Sequence, residues 1–388
     1  MIKVMHVIST FGAAGAERML CGLVSKMDST QFNNEIVSLT DVLDLAESVE
    51  AIGVRVRTLH MKTTVPNALL VLRLAQWMRQ SKPDVIHTWM YHSNLVGTVA
   101  ACLAGRSPIV WAIHHGVLDP RVDKRRTFLV NRACALLSRK FPARIVCCSE
   151  ASLRIHKNLG YDTEKLEVIP NGFDLQQVKP DAMARSSVRQ ELRIPPETLL
   201  IGMAARFHAV KDHFNFIQAA ARLHRRFPDV HFVLFGDGVT PDNRELMLSI
   251  ASTGVHTRFY LLGQRRDVAR LFSAMDIVTS SSSSEAFPMA VGEAMACETP
   301  CVVTDVGDSA RIVDTTGRVV PPKNPDALAE AWGELIEAGP EVRRHFGLAA
   351  RRRVQLHFAL PVIVERYQSL YERSVSRTAI PVPCASRS

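Results

Sequence analysis

The sequence predicts an α/β protein built from two doubly wound units, each a parallel sheet with helices on both faces. Three observations carry that expectation. Short apolar, β-branched runs alternate with helix-period stretches, the pattern of strands joined by crossover helices. The alternation breaks over 175–198, a polar stretch holding Pro180, Pro195 and Pro196, and then starts again. The length, 388 residues, suits two domains rather than one.

The elements follow in order. Residues 3–9 form a buried-strand run, the Gly12–Gly15 loop comes next, and a helix is predicted over 16–26. Residues 34–39 and 54–60 read as strands. Leu70, Leu74, Trp77 and Met78 give helix periodicity over 67–80. That helix stops before Lys82-Pro83, because the residue preceding a proline is pushed out of the helical region. Residues 85–87, 109–113 and 143–148 complete the first series, and Ile169-Pro170-Asn171-Gly172 is a turn. The second series predicts strands over 199–203, 230–235, 258–262, 277–280 and 300–304, with helices between them. The expected units are 1–178 and 179–360, and the final helix, 361–373, packs back onto the first. The Pro/Ser/Arg-rich tail 374–388 holds too little apolar surface to order itself.

Composition narrows the function classes. The chain is 47% hydrophobic and 22% charged, ordinary for a globular protein. No apolar run approaches the roughly 20 residues of a membrane span. The first eight residues enter a strand pattern directly and lack a signal peptide's apolar region and cleavage site. The eight cysteines are scattered with no CxxC pair, so reduced core thiols of a cytoplasmic protein are expected. The four-residue step from Cys297 to Cys301 has no histidine pair beside it, which argues against zinc. A formal charge of +9 favours an anionic partner: nucleic acid, acidic lipid or a phosphorylated substrate. Basic residues cluster over 121–144 among apolar ones, as in a helix lying on an anionic membrane surface or an ordinary helix packing inward. Few aromatics interleave with them, which disfavours nucleic acid.

Ligands of open α/β sheets bind outside the carboxyl ends of the strands. The loops after Ile8, Ile86, Ile113, Met203, Phe235, Leu262, Val278 and Val303 are therefore expected to line a cleft between the two units. The segment Ser284-Glu285-Ala286-Phe287-Pro288-Met289-Ala290-Val291-Gly292-Glu293 says most. Proline suits the first position of a helix. Glu285 then lies on a loop and Glu293 on the helix. The free N–H groups of Met289 and Ala290 would face a phosphate, with a carboxylate towards either end for sugar hydroxyls. The same spacing also fits a plain strand-loop-helix with two surface glutamates. Arg206 and Lys211 follow the first strand of the second series, as a fork and a point charge suited to a diphosphate. Gly236, Gly238 and the Gly263-Gln264-Arg265 loop also follow strands, where glycine permits close backbone approach. In the first unit, Ala14, Gly15 and Glu17 follow the first strand without forming a GxGxxG fingerprint. His114 could hydrogen-bond a sugar hydroxyl or act as acid or base, and His87, Trp89 and His92 are candidates for the acceptor side. The chain has no Asp-x-Asp pair, so no metal or other cofactor is expected. Leaving-group charge would then fall to Arg206, Lys211 and the helix start near Pro288.

With these residues in hand, the chain resembles family 4 of the glycosyltransferases, retaining enzymes of GT-B fold, over about residues 3–372. Glu285 and Glu293 match that family's glutamate, seven residues, glutamate motif, and Glu-Ala-Met-Ala from Glu293 to Ala296 continues it. Arg206 and Lys211 match its Arg…Lys pair. Residues 168–174 match its inter-domain signature, and Ala14 to Arg18 its first loop. The resemblance implies that Glu285 holds donor-sugar hydroxyls, with N–H groups of Phe287 and Met289 nearby. Glu293 would bind ribose, Arg206 and Lys211 the diphosphate, and His114 would approach the donor sugar. Gly15 would sit by acceptor or phosphate. It further implies metal-free, front-face transfer from a UDP- or GDP-sugar to a glycan or polyprenyl-linked acceptor, typically in surface polysaccharide assembly. Ala14 and Ala286 depart from the family's usual glycine, and Ala286 bears on which sugar fits. A sugar-nucleotide epimerase or hydrolase on the same scaffold, and a non-catalytic nucleotide-sugar binder, are the competing readings.

Overall fold

The structure, a computed structural model, describes residues 1–12, 14–62, 67–105, 108–116 and 125–378. It divides into two compact units: Met1–Gly172 with the chain from Leu360 onward, and Phe173–Ala359.

Unit 1 runs β1 (Ile2–Ile8), α1 (Gly15–Lys26), β2 (Phe32–Ser38), α2 (Ala46–Glu50), β3 (Arg55–Thr58), α3 (Ala68–Ser81), β4 (Val85–Trp89), α4 (Tyr91–Ala104), β5 (Ile109–Ile113), α5 (Arg125–Ser138), β6 (Arg144–Cys147), α6 (Glu150–Asn158) and β7 (Leu166–Val168). The seven strands are all parallel, in the order β3-β2-β1-β4-β5-β6-β7. Every residue of β4 and β5 is buried, as expected of a parallel sheet covered on both faces. One face packs against α1 through Leu20 and Leu23. The other packs against α3, α4 and α5 through Leu74, Met78, Val96, Ala100 and Cys134. Asn67 caps α3 by accepting from the Leu69 N–H at 2.9 Å. No periodic pattern marks α4 in the sequence, because eight of its residues are buried on several sides. It lies hard against β4: a Cβ on Gly97 would come within 2.5 Å of Thr88 Cγ2.

Unit 2 runs α7 (Ala184–Leu192), β8 (Leu200–Ala204), α8 (His213–His224), β9 (His231–Phe235), α9 (Arg244–Ala251), β10 (Phe259–Leu261), α10 (Val268–Ala274), β11 (Ile277–Ser280), α11 (Met289–Ala296), β12 (Cys301–Thr304), α12 (Ser309–Val313), β13 (Gly317–Val320), α13 (Pro325–Glu337) and α14 (Gly339–His357). Its six parallel strands follow the order β10-β9-β8-β11-β12-β13. The chain then re-enters unit 1 as α15 (Leu360–Thr378). Ile363, Val364, Tyr367, Leu370 and Tyr371 of α15 join the same core as α1.

Three details differ from the sequence reading. The expected irregular linker 175–198 contains α7. Its polar residues serve internal bonds: buried Arg189 reaches Asp276 Oδ2 at 2.9 Å, Thr198 O at 2.8 Å and Ala274 O at 2.8 Å. Polarity here marks a satisfied buried cation, not a solvated loop. The division falls at Gly172 rather than 178, because Phe173 is already tied into unit 2. Its N–H donates to Phe358 O at 2.8 Å, and its ring stacks on Phe287 with centroids 6.1 Å apart. Helix α15 runs on to Thr378, past the expected end at 373, while the rest of the expected tail, 379–388, lies outside the described residues.

In each sheet the strand order reverses beside the first strand of the unit, between β1 and β4 and between β8 and β11. Loops leaving the two central strands diverge there and open a crevice at the carboxyl end.

Candidate active site

In unit 2 the two loops at the switch point carry the candidate residues Lys211 and Glu285. The loop after β8 ends in one 3₁₀ turn, Ala209–Lys211, whose Val210 N–H donates to His208 Nδ1 at 3.4 Å. The loop after β11 carries Ser281 to Pro288 into α11. Lys211 Nζ donates to Glu285 Oε1 at 2.5 Å, and Ser282 Oγ donates to the same oxygen at 2.7 Å. The Glu285 side chain keeps only 10% exposure and that of Lys211 24%. The pair is therefore shielded enough for its attraction to exceed that of a surface ion pair.

The serine run is the clamp that holds this geometry. Ser281 Oγ donates to Lys211 O at 3.2 Å and to Asp212 O at 3.0 Å. The Ser283 N–H donates to Val210 O at 2.8 Å. Thr304 Oγ1, from β12, donates to Ser282 O at 2.6 Å. From below, the Asp308 N–H donates to Ala286 O at 3.1 Å. Gly307 takes φ +59°, and a Cβ there would lie 2.5 Å from Glu285 O. Sequence reasoning missed these supports. Composition marks the serines at 280–284 as a loop but not the groups they bond, and Gly307 carries no spacing signal.

The remaining donor-side candidates separate. Pro288 is the N-cap of α11 and Met289 its first residue, one position later than the sequence reading had it, and no side chain caps this end. The first N–H groups of the helix thus lack intrahelical partners. Ala290 follows in the first turn. Glu293 lies one turn further on and is half-buried. The Phe287 ring is buried between Phe173 and Phe358, which leaves only its backbone available to a ligand. Arg206 is exposed and makes no hydrogen bond or ion pair with any described residue. Gly236, at φ +145° in the loop after β9, lets the loop after β8 pack close against it: a Cβ would lie 2.2 Å from Ala205 O. Gly238, at φ +72°, lies beside Phe207, whose N–H donates to Asp237 O at 2.7 Å.

Arg265 does not fit the donor-binding role expected of it. Its Nε and Nη2 donate to Asp267 at 2.8 and 2.7 Å, and Nη1 donates to Glu191 at 2.7 Å. Arg270 reaches the same two carboxylates. The fork is filled by α7 and the start of α10, which makes it a structural link. The guanidinium groups hold Asp267 well below the usual carboxylate range.

Unit 1 carries a separate group of candidates. Ala14 is the uncapped N-cap of α1 and Gly15 its first residue. Glu17 is buried and accepts from Thr10 Oγ1 at 2.6 Å, so part of its capacity is committed locally. His114 follows β5 and stacks on Trp89, with centroids 5.2 Å apart and planes at 25°. Both its ring nitrogens are buried without a hydrogen-bond partner, as is Oδ1 of Asn171. Burial pushes the His114 pKa down to about 4, opposed by nearby Asn171, so the imidazole is neutral at pH 7. A neutral imidazole offers one donor and one acceptor, a match for a hydroxyl.

His87 and Trp89 do not line the acceptor side. Both are fully buried. His87 Nδ1 bonds Tyr371 Oη at 2.7 Å, and its ring lies 4.5 Å from that of Trp89. Trp89 Nε1 donates to His6 Nδ1 at 3.3 Å. The two form a platform under His114, since alternate side chains of a covered central strand point into the two cores. His92 is half-buried at the start of α4, its pKa lowered by burial and by Arg126. Among the described residues no group of three or more His, Cys, Asp or Glu side chains could hold a metal ion.

Known proteins resemble this chain in sequence and fold. Residues 13–177 match the model for Glycosyltransferase Family 4, and residues 184–353 that for Glycosyl transferases group 1. The D-inositol 3-phosphate glycosyltransferase of Xylanimonas cellulosilytica is 31% identical over 79% of this chain and 77% of its own length. The UDP-Gal:alpha-D-GlcNAc-diphosphoundecaprenol alpha-1,3-galactosyltransferase of Escherichia coli is 26% identical over 80% of this chain and 81% of its own length. Among solved structures, Anabaena Alr3699/HepE in complex with UDP superposes with a TM-score of 0.84 at 24% identity, covering 96% of this chain and 100% of that one. The switch-point loops carrying Lys211 and Glu285, the doubled parallel α/β architecture and these matches agree: the chain belongs to glycosyltransferase family 4 and is a glycosyltransferase of GT-B fold.

Proposed function

We propose that unit 2 binds a UDP- or GDP-sugar and that the sugar passes, with retention, to a glycan or polyprenyl-linked glycan during assembly of a surface polysaccharide. The observation that carries this is the shielded Lys211–Glu285 pair on the two switch-point loops. Lys211 and Arg206 take the diphosphate, with the uncapped start of α11 adding N–H donors. Glu285 accepts from donor-sugar hydroxyls, and Glu293 from the ribose. In unit 1, His114 offers its unpartnered ring nitrogens to a hydroxyl. Gly15, at the uncapped start of α1, lets acceptor or phosphate approach the backbone.

The bond between the anomeric carbon and the diphosphate oxygen breaks as the acceptor oxygen attacks from the same face. The leaving phosphate takes the acceptor proton, and its charge is stabilised by Arg206, Lys211 and the helix start. No resident metal is needed in this scheme, because the chain's own cations stand at the leaving group. The E. coli relative acts on a diphosphoundecaprenol-linked sugar, which favours a lipid-linked acceptor here and a working place on the cytoplasmic face of a membrane.

The test is acceptor-dependent release of nucleoside diphosphate, with the anomeric configuration of the product read by NMR. Retained configuration and release only with acceptor support the reading. Release without acceptor favours a hydrolase or epimerase, and tight nucleotide-sugar binding with no turnover across a broad acceptor panel favours a non-catalytic binder.

A further inference from the structure

We propose that Phe173 is a positioning residue for the donor half-site: its ring seats α11, and with it Glu293 and the N–H groups at the helix start. This role rests on the donor reading proposed above. By its own sequence α11 is a weak helix. It is eight residues long, no side chain caps its start, and Gly292 stands in its middle. So short a helix is marginal without packing, and glycine is among the poorest helix formers. Its place is therefore set by what it packs against.

Gly292 marks that partner. A Cβ there would lie 2.1 Å from Phe173 Cζ, 2.3 Å from Cε2 and 2.9 Å from Cε1. No left-handed backbone calls for this glycine, since its φ is not positive. The tip of the Phe173 ring fills the space a side chain would need, which accounts for glycine at an otherwise unfavourable position. The ring has little freedom to move aside. Phe173 is buried, its N–H donates to Phe358 O at 2.8 Å, and it pairs in parallel with Ala359. Its ring stacks on Phe287, two residues before the first helical residue, with centroids 6.1 Å apart and planes at 27°. Phe287 in turn meets Phe358 edge-on at 5.8 Å. The aromatic group thus holds α11 at its entry, through Phe287, and in its middle, through Gly292. Glu293 is the next residue in the chain, and Met289 lies three residues before Gly292 on the same helix face. A displacement at the ring is passed to both.

The experiment is calorimetric titration of UDP and of GDP into the full chain and four variants, with a thermal melt of each. Gly292→Ala should raise the Kd of the better-bound nucleotide about tenfold or more, because the contact must open by about 0.9 Å merely to reach 3.0 Å. Phe173→Leu, which removes the ring tip and keeps the position apolar, should raise it on the order of threefold to tenfold as the helix settles into the space left. The double variant Phe173→Leu/Gly292→Ala lacks the three ring atoms the methyl meets. It should bind more tightly than Gly292→Ala alone, a coupling that independent sites do not show. Phe232→Leu is the control: this buried ring of β9 packs on Phe216, Phe259 and Trp332. It should lower Tm by about 2–4 °C and keep the parent's Kd, which is also how Phe173→Leu would behave if its role were only structural. A parent-like Kd in Gly292→Ala, or a double variant no better than Gly292→Ala, overturns the proposal. If Gly292→Ala does not fold, a parent-like Kd in Phe173→Leu overturns it. A parent that binds neither nucleotide removes the donor reading and this role with it, whereas a parent that binds while every variant binds equally removes this role alone.

Discussion

Gly307→Ala is the sharpest test of how the donor half-site is held. Gly307 sits in the left-handed region at φ +59°, and its Cβ would lie 2.5 Å from Glu285 O, 2.8 Å from Glu285 C and 2.9 Å from Ala286 O. Alanine there carries a left-handed cost of about 1 kcal/mol. The carbonyl contact must also open by about half an ångström merely to reach 3.0 Å. The partner is backbone, so the Glu285–Ala286 segment itself has to move. A total near 2 kcal/mol lowers Tm by about 4–8 °C for a unit of this size. A shift of this order in a positioned carboxylate lowers kcat/KM roughly 10- to 100-fold. Gly254→Ala is the internal control: it shares the left-handed strain at φ +74° but has nothing within 4 Å. It should lose about 2–4 °C and keep full transfer activity. Thermal melts paired with nucleoside-diphosphate release measure both. If Gly307→Ala transfers sugar as well as Gly254→Ala, Gly307 does not support Glu285 and the reasoning fails.

Two further outcomes follow. Arg265→Ala should destabilise unit 2 by about 1–2 kcal/mol, since it cuts the link between α7 and α10, yet leave donor KM unchanged. A large rise in KM with unchanged Tm would return Arg265 to the donor site. Burial pushes His6, His114 and His156 of unit 1, and His213 of unit 2, down to about 4. Their folded pKa lies below the unfolded value near 6.5, so the unfolded chain binds protons first. The stability they contribute is therefore complete above pH 6.5 and is lost as pH falls from 6.5 towards 4. At pH 5 each histidine costs up to about 2 kcal/mol. Calorimetry from pH 7.5 to 5 should show unit 1, with three of the four, losing more than unit 2, and equal losses would contradict this.

The fold was legible where burial is two-sided or strictly periodic. The central strands β1, β5, β8 and β11 announced themselves as apolar runs, and α3 by its spacing and its stop before proline. Helix α4 was hidden because burial on several sides erases periodicity, and α7 because a buried, satisfied arginine looks like surface polarity. The edge strands β7 and β13, three and four residues long, are too short to give a pattern. In the candidate site, Lys211 and Glu285 were readable because position relative to a strand end is a sequence property. The filling of Arg265 by Glu191 and Asp267, and the burial of His87 and Trp89 under His114, depend on which elements meet in space. The same holds for Gly307, whose role exists only through the carbonyl packed over it.

The proposed roles divide across the Lys211–Glu285 pair, cation for the diphosphate and carboxylate for the sugar. Calorimetric titration of UDP and of its cognate UDP-sugar, or the GDP pair if that base is preferred, into the parent, Lys211→Met and Glu285→Gln measures this division most directly. Lys211→Met should weaken both ligands at least tenfold, from the loss of a charge-assisted phosphate contact. Glu285→Gln should leave the free diphosphate bound as before and weaken only the nucleotide sugar. Parent-like binding of both ligands by both variants would contradict this division.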